Sequence, residues 1–103
     1  MLPQNEGDQE LATATRPKSA RPPMYKVVLH NDDFTTMEFV VYVLEEVFGR
    51  TSAEAMRIML LVHVSGTGVA GTYTYEVAEM KVARTTALAR ANEYPLLCTI
   101  EEA

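Results

Sequence analysis

Cysteine occurs once in the 103 residues, at Cys98. One cysteine permits no internal disulfide and no zinc site built on cysteines, a usage that suits a reducing compartment such as the cytoplasm. Cys98 stands in the apolar run Pro95-Leu96-Leu97-Cys98-Thr99-Ile100 and reads as a small buried hydrophobe rather than a nucleophile. There are two histidines, His30 and His63, and neither belongs to an H-E-x-x-H pair or a calcium-loop spacing, so no metal or cofactor is expected. The serines are Ser19, Ser52 and Ser65, none in a nucleophile-elbow context. Gly66 and Gly68 lack the Lys-Ser/Thr that would complete a phosphate loop. No apolar run approaches the roughly 18 residues of a membrane span. The opening MLPQNEGDQE lacks the basic-then-apolar order of a secretory signal. Positive charge is also scarce: nine basic residues face 14 acidic ones, a net charge of −5, which disfavours nucleic acid and anionic membranes as partners.

What the chain does have is enough apolar material, 48% of residues, for one small domain. Residues 1–23 hold four of the five prolines (Pro3, Pro17, Pro22, Pro23) and no apolar period, and are expected to form a disordered N-terminal extension. The domain spans 24–103. MYKVVLH alternates Tyr25, Val27 and Leu29 against Lys26, Val28 and His30, the pattern of a strand. Asn31-Asp32-Asp33 is turn chemistry. Thr35 with Glu38 predicts a capping box for a first helix reaching about Phe48, with Met37, Val40, Val43, Leu44, Val47 and Phe48 inward and Gly49 as the stop. Thr51 with Glu54 predicts a second box and a helix over about 51–64, with Met56, Met59, Leu60 and His63 on one face. The β-branched and aromatic VAGTYTY predicts a strand bulged at Gly71. Thr74 caps a third helix to about Ala91, and Pro95 opens a last strand. The expected fold is α+β: a compact β-α-α-β-α-β domain with three helices packed on a small three-stranded antiparallel sheet.

The stretch HNDDFTTMEF carries the candidate chemistry. Asp32 and Asp33 with His63 suggest one reading, a small metal-dependent or acid/base hydrolase. Adjacent carboxylates in an extended segment point apart, however, and turn formation explains them more simply. A different reading follows if the first two helices pack as an antiparallel hairpin. Asn31, Asp32 and His63 would then surround the mouth of a cavity walled by Met37, Val40, Met59 and Val62. Oxygen and nitrogen acceptors over an apolar pocket suit a free α-amino group beside a large hydrophobic side chain, since that group is mostly protonated at neutral pH and donates three hydrogen bonds.

Taken together, Met24-Tyr25-Lys26-Val27, Asn31-Asp32-Asp33-Phe34-Thr35, Met37-Glu38-Phe39-Val40, Met59-Leu60 with His63, Tyr75-Glu76-Val77-Ala78-Glu79 with Lys81-Val82, and Pro95-Leu96-Leu97-Cys98 resemble the bacterial ClpS adaptor family over about residues 22–103. The resemblance implies a non-enzymatic adaptor of the N-end rule. Such an adaptor binds proteins with N-terminal Leu, Phe, Tyr or Trp and delivers them to the ClpA unfoldase of the ClpAP protease. It implies that Asn31, Asp32 and His63 hold the α-amino group. It further implies that Thr35, Met37, Val40, Met59, Val62 and Leu96 line the side-chain pocket, with Met37 as the gate against β-branched residues. Glu76, Glu79 and Lys81 match the surface that docks the unfoldase, and the 1–23 segment matches an extension used in delivery. A third possibility keeps the docking without the pocket, as a regulator that blocks other substrates. The chain departs from the family pattern at Thr36, where Pro is common, at His30, where an aliphatic residue is expected, and at Phe34, which replaces Tyr.

Overall fold

The computed structural model describes residues 21–103. Most of the expected N-terminal extension, residues 1–20, lies outside the described residues, and Arg21, Pro22 and Pro23 are exposed. The elements run β1 (Met24–His30), α1 (Met37–Glu46), α2 (Ser52–Ser65), β2 (Thr67–Thr74), α3 (Tyr75–Ala91) and β3 (Leu97–Glu102). The sheet is antiparallel in the order β2-β1-β3. The order and type of all six elements match the sequence expectation. Among the described residues no helix is long and apolar enough to cross a membrane.

The central position of β1 explains its burial. Val27 and Leu29 are fully buried in the common core, while Val28, on the opposite face, is shielded to 4% by the strands on either side. Opposite residues share a face, so Leu29 sets the side of its partners Gly68 and Cys98. On that side α3 packs on all three strands, α2 packs on β2, and α1 packs on α2. The inner face of α3 is built from small residues, Ala78, Thr85 and Ala89. Cys98 is buried, and burial pushes its thiol up to about 11 despite the neighbouring Thr85 hydroxyl, which lowers it. That hydroxyl is buried without a partner of ordinary hydrogen-bond geometry.

Several boundaries differ from expectation, each for a local reason. The cap of α1 is Thr36, whose hydroxyl accepts from the Phe39 amide at 3.2 Å. Thr35 is not the cap because its amide and hydroxyl are both committed to Asp32. The same helix ends at Glu46, and Val47 and Phe48, although buried, belong to the turn that Gly49 closes at φ +65°. The second box forms as expected: the Glu54 amide donates to Thr51 at 3.2 Å and the Thr51 amide donates to Glu54 at 3.0 Å. The buried stripe of α2 is Ala55, Ile58, Met59 and Val62, so Met56 and Leu60 stay half-exposed. The bulge in β2 falls at Ala70, skipped between the pairs Val27–Gly71 and Val28–Val69, one residue before the predicted glycine. Its carbonyl accepts instead from Arg50 Nε at 2.8 Å. Thr74 occupies the cap position of α3 without a side-chain hydrogen bond.

Gly68 marks where β2 touches α2. A Cβ there would lie 2.7 Å from Val62 Cγ2, closer than packed carbons approach. Val62 is buried and short, so it has no flexible end to move aside. Gly68→Ala should therefore lower stability by about 1–3 kcal/mol, the usual range for overpacking. Urea unfolding measures this, and an unchanged midpoint would show that strand and helix separate there without cost.

Candidate functional site

The site begins one residue past β1. The Asn31 amide donates to the Gly66 carbonyl at 2.8 Å, one step beyond the His30–Thr67 pair of the ladder. Gly66 is the left-handed cap of α2, at φ +94°, and its own amide donates to Val62. One glycine thus ends α2 and receives the end of β1, so His63 in the last turn of α2 lies beside Asn31-Asp32 despite a separation of some thirty residues.

Asp32 organises the turn. Its Oδ1 accepts from the Phe34 amide at 2.8 Å and the Thr35 amide at 2.7 Å, and its Oδ2 accepts from the Thr35 hydroxyl at 2.8 Å. Partial burial alone would raise this carboxyl, but the hydrogen bonds from Thr35 and Phe34 outweigh it and hold the group below its ordinary 3.8. A carboxylate has about four acceptor positions, two on each oxygen. Three are filled by the protein, which leaves one on Oδ2 for an incoming donor. Asp32, not Asp33, therefore carries the turn, and Asp33 is exposed.

From this turn Thr36 starts α1. Its cap bond fixes the first helical turn, and its hydroxyl lies 3.4 Å from that of Tyr94, whose ring packs on Phe39 with centroids 4.7 Å apart. Thr36 thus supplies the helix start through a side-chain acceptor. Met37 follows as the first residue of α1 and is 42% exposed.

Asn31, Asp32 and His63 line one cavity with Thr35, Met37, Val40, Met59 and Val62, and its volume is about 450 Å³. Asp33, Phe34, Thr36 and Glu38 complete the lining. Val40, Met59 and Val62 are buried and form its depth, while Asn31, His63 and Phe34 are exposed at its mouth. The volume falls within the roughly 300–1,000 Å³ typical of ligand pockets. Glu38 and Phe34 were not marked as lining residues by the sequence pattern. Glu38 follows Met37 in the first turn, and the adjacency is the signal that locates it.

Other candidates fall elsewhere. Leu96 is buried in the common core at 2% exposure and does not line the cavity. It immediately precedes β3, where the chain turns its side inward. His30 is half-buried, with Nε2 2.7 Å from the Thr99 hydroxyl across the β1–β3 pair, so it neither lines the cavity nor simply faces water. Glu76 and Glu79 are exposed on α3. The Glu79 carboxylate, one turn after Tyr75, raises that phenol. Lys81 is tied into the fold: its Nζ donates to the Val47 carbonyl at 2.7 Å, satisfying the end of α1, and sits 5.5 Å from the Tyr73 ring centroid. Among the described residues no three His, Cys, Asp or Glu side chains are grouped to hold a metal, so Asp32, Asp33 and His63 do not form the donor set that a metal hydrolase needs.

Comparison with known proteins places this geometry in context. The family model described as ATP-dependent Clp protease adaptor protein ClpS matches residues 20–99. An ATP-dependent Clp protease adapter protein ClpS from Roseobacter denitrificans is 52% identical over 99 residues, covering 96% of this chain and 88% of that protein. The protein of the same name from Hyphomonas neptunium is 55% identical over 93 residues, covering 90% and 79%. The solved structure of Agrobacterium tumefaciens ClpS2 bound to L-phenylalaninamide superposes with a TM-score of 0.77 at 37% identity, covering 81% of this chain and all of that one. The chain belongs to the ClpS family, the adaptor proteins of the ATP-dependent Clp protease.

Proposed function

We propose that this adaptor captures proteins by a free N-terminal Leu, Phe, Tyr or Trp and hands them to the ClpA unfoldase of ClpAP in the cytoplasm. The observation that carries the reading is the cavity itself: Asp32, held by the turn, beside Asn31 and His63 at the mouth, and an apolar interior of Val40, Met59 and Val62. An α-ammonium group offers three donors. The free acceptor position of Asp32 Oδ2 takes one, and the Asn31 side-chain oxygen and a His63 ring nitrogen take the others. The ligand of the Agrobacterium relative, L-phenylalaninamide, has the matching chemistry: a free α-amino group, a benzyl side chain, and an amide in place of a carboxylate. That amide stands in for the first peptide bond of a protein substrate. A free amino acid would instead bring a negative charge to a rim that already carries Asp32, Asp33 and Glu38.

Met37, at the lip, acts as the gate. On this reading its side chain excludes a first residue that branches at Cβ and admits one that branches at Cγ or beyond. Glu76 and Glu79, exposed on α3, present charge to the unfoldase, with Lys81 holding that helix against the end of α1. The division into a 1–23 arm and a 24–103 core assigns the arm to delivery.

Three outcomes follow. In fluorescence anisotropy a Phe-initiated peptide should bind at least tenfold more tightly than its Nα-acetylated form, and equal binding would sink the proposal. Met37→Ala should admit Val and Ile at the first position, narrowing their disadvantage against Leu to within about threefold; unchanged discrimination would mean that Met37 is not the gate. Affinity should be level across neutral pH and fall above about pH 8, where the α-amino group loses its proton. At the acid end the carboxylate side of the contact persists below 3.8, because the lowered Asp32 group protonates only beneath its ordinary value. Affinity that rose through pH 9 would show that the ammonium form is not the one bound.

A further inference from the structure

A second cavity of about 370 Å³ lies beside the first and is lined by Met37, Glu38, Val41, Met56 and Met59. Met37, Glu38 and Met59 line both, so the two cavities share a wall. Four of the five lining residues are apolar, and Met56 is left 48% exposed on the outer side of α2. Resting on the reading of the first cavity as a socket for an N-terminal residue, we propose that this groove seats the side chain of the third residue of the bound protein and selects for an apolar one.

Chain geometry names the position. In an extended peptide successive side chains point to opposite sides, so residue 2 turns away from the surface that residue 1 enters. Residue 3 returns to the same side about 6.6 Å further on, roughly the thickness of one packed side chain. With residue 1 in the first cavity and the chain leaving across Met37 and Met59, which line both cavities, residue 3 is on this reading carried into the second. The chemistry names the type. The methionine walls are flexible and polarizable and accommodate Leu, Met or an aromatic ring. The one charged lining residue is Glu38, and the neighbouring rim adds Asp32 and Asp33. An acidic third residue meets like charge at that edge, and a chain with net charge −5 offers little to offset it.

The test uses the full chain and synthetic peptides that differ only at position 3, with Phe first and Ala second. Leu at position 3 should bind about five- to tenfold more tightly than Ser, and Asp more weakly than Ser. Met56→Ser alters a half-exposed residue outside the first cavity. It should reduce the Leu preference to less than about twofold and leave the Ser peptide's affinity within about twofold of the unaltered protein. As an independent readout, the Met56 methyl resonance should move on adding the Leu peptide and stay in place with the Ser peptide. Equal affinities for Leu and Ser at position 3, or a Leu preference that survives Met56→Ser, would overturn the proposal. Peptides with Gly in place of the first Phe separate the two readings. If Phe is required but position 3 is indifferent, the socket stands and the groove falls. If Gly-first and Phe-first peptides bind alike, both fall.

Discussion

The hydrogen bond from the Asn31 amide to the Gly66 carbonyl is the constraint on which the site depends. It extends the β1–β2 ladder by one rung at the point where β1 gives way to a turn and α2 gives way to β2. On one side of it stand Asn31 and Asp32, and on the other His63 and Val62. Neither helix packing nor the turn alone would hold these groups together, because each belongs to a different stretch of chain. The left-handed backbone of Gly66, at φ +94°, lets a single residue cap α2 and offer its carbonyl to β1.

From that joint the rest follows outward. Asp32 folds the turn by collecting two amides and a hydroxyl, and the turn delivers Thr36 to its capping position. Thr36 starts α1, and α1 places Met37 and Val40 on the wall opposite Met59 and Val62. The core beneath keeps the wall in place: Val43 and Leu44 of α1 and Ala55 and Ile58 of α2 are all nearly or fully buried. Behind them α3 closes the sheet with small side chains, and Lys81 secures the Val47 carbonyl where α1 ends.

Element order was legible in the sequence because the signals were local. Alternation marked β1, and Thr51 with Glu54 marked the start of α2. Gly49 signals the stop of α1, but the helix ends at Glu46 and leaves Val47 and Phe48 in a turn. The misplaced cap at Thr35 shows where local reading fails. Thr35 and Thr36 both satisfy the capping preference, and only the competing demand of Asp32 for hydrogen bonds decides between them. Helix rotation was equally hidden: Met56-Met59-Leu60-His63 and Ala55-Ile58-Met59-Val62 both follow helical spacing, and the sheet beneath α2 selects the second. The shared cavity of Met37, Val40, Met59 and Val62 could be anticipated because a short helix hairpin brings those positions together. Leu96 could not be placed by that argument, since it depends on how the chain enters β3 from α3. Lys81 looked like a surface charge because its partner, a main-chain carbonyl, leaves no mark in the sequence.

The cavity is stiff at one end and compliant at the other. The Asp32 carboxylate is held by three hydrogen bonds before anything arrives, so an ammonium group finds its acceptor already oriented and the protein loses little freedom on contact. The walls supplied by Met37 and Met59 are unbranched thioethers that can change rotamer at small cost. If the proposed function holds, a pocket built this way would accept side chains of several shapes at one end and a single kind of head group at the other. On the proposed reading, the stiff end would select for a free amino terminus and the compliant walls would sort side chains by shape, a division of labour between the turn and the two helices.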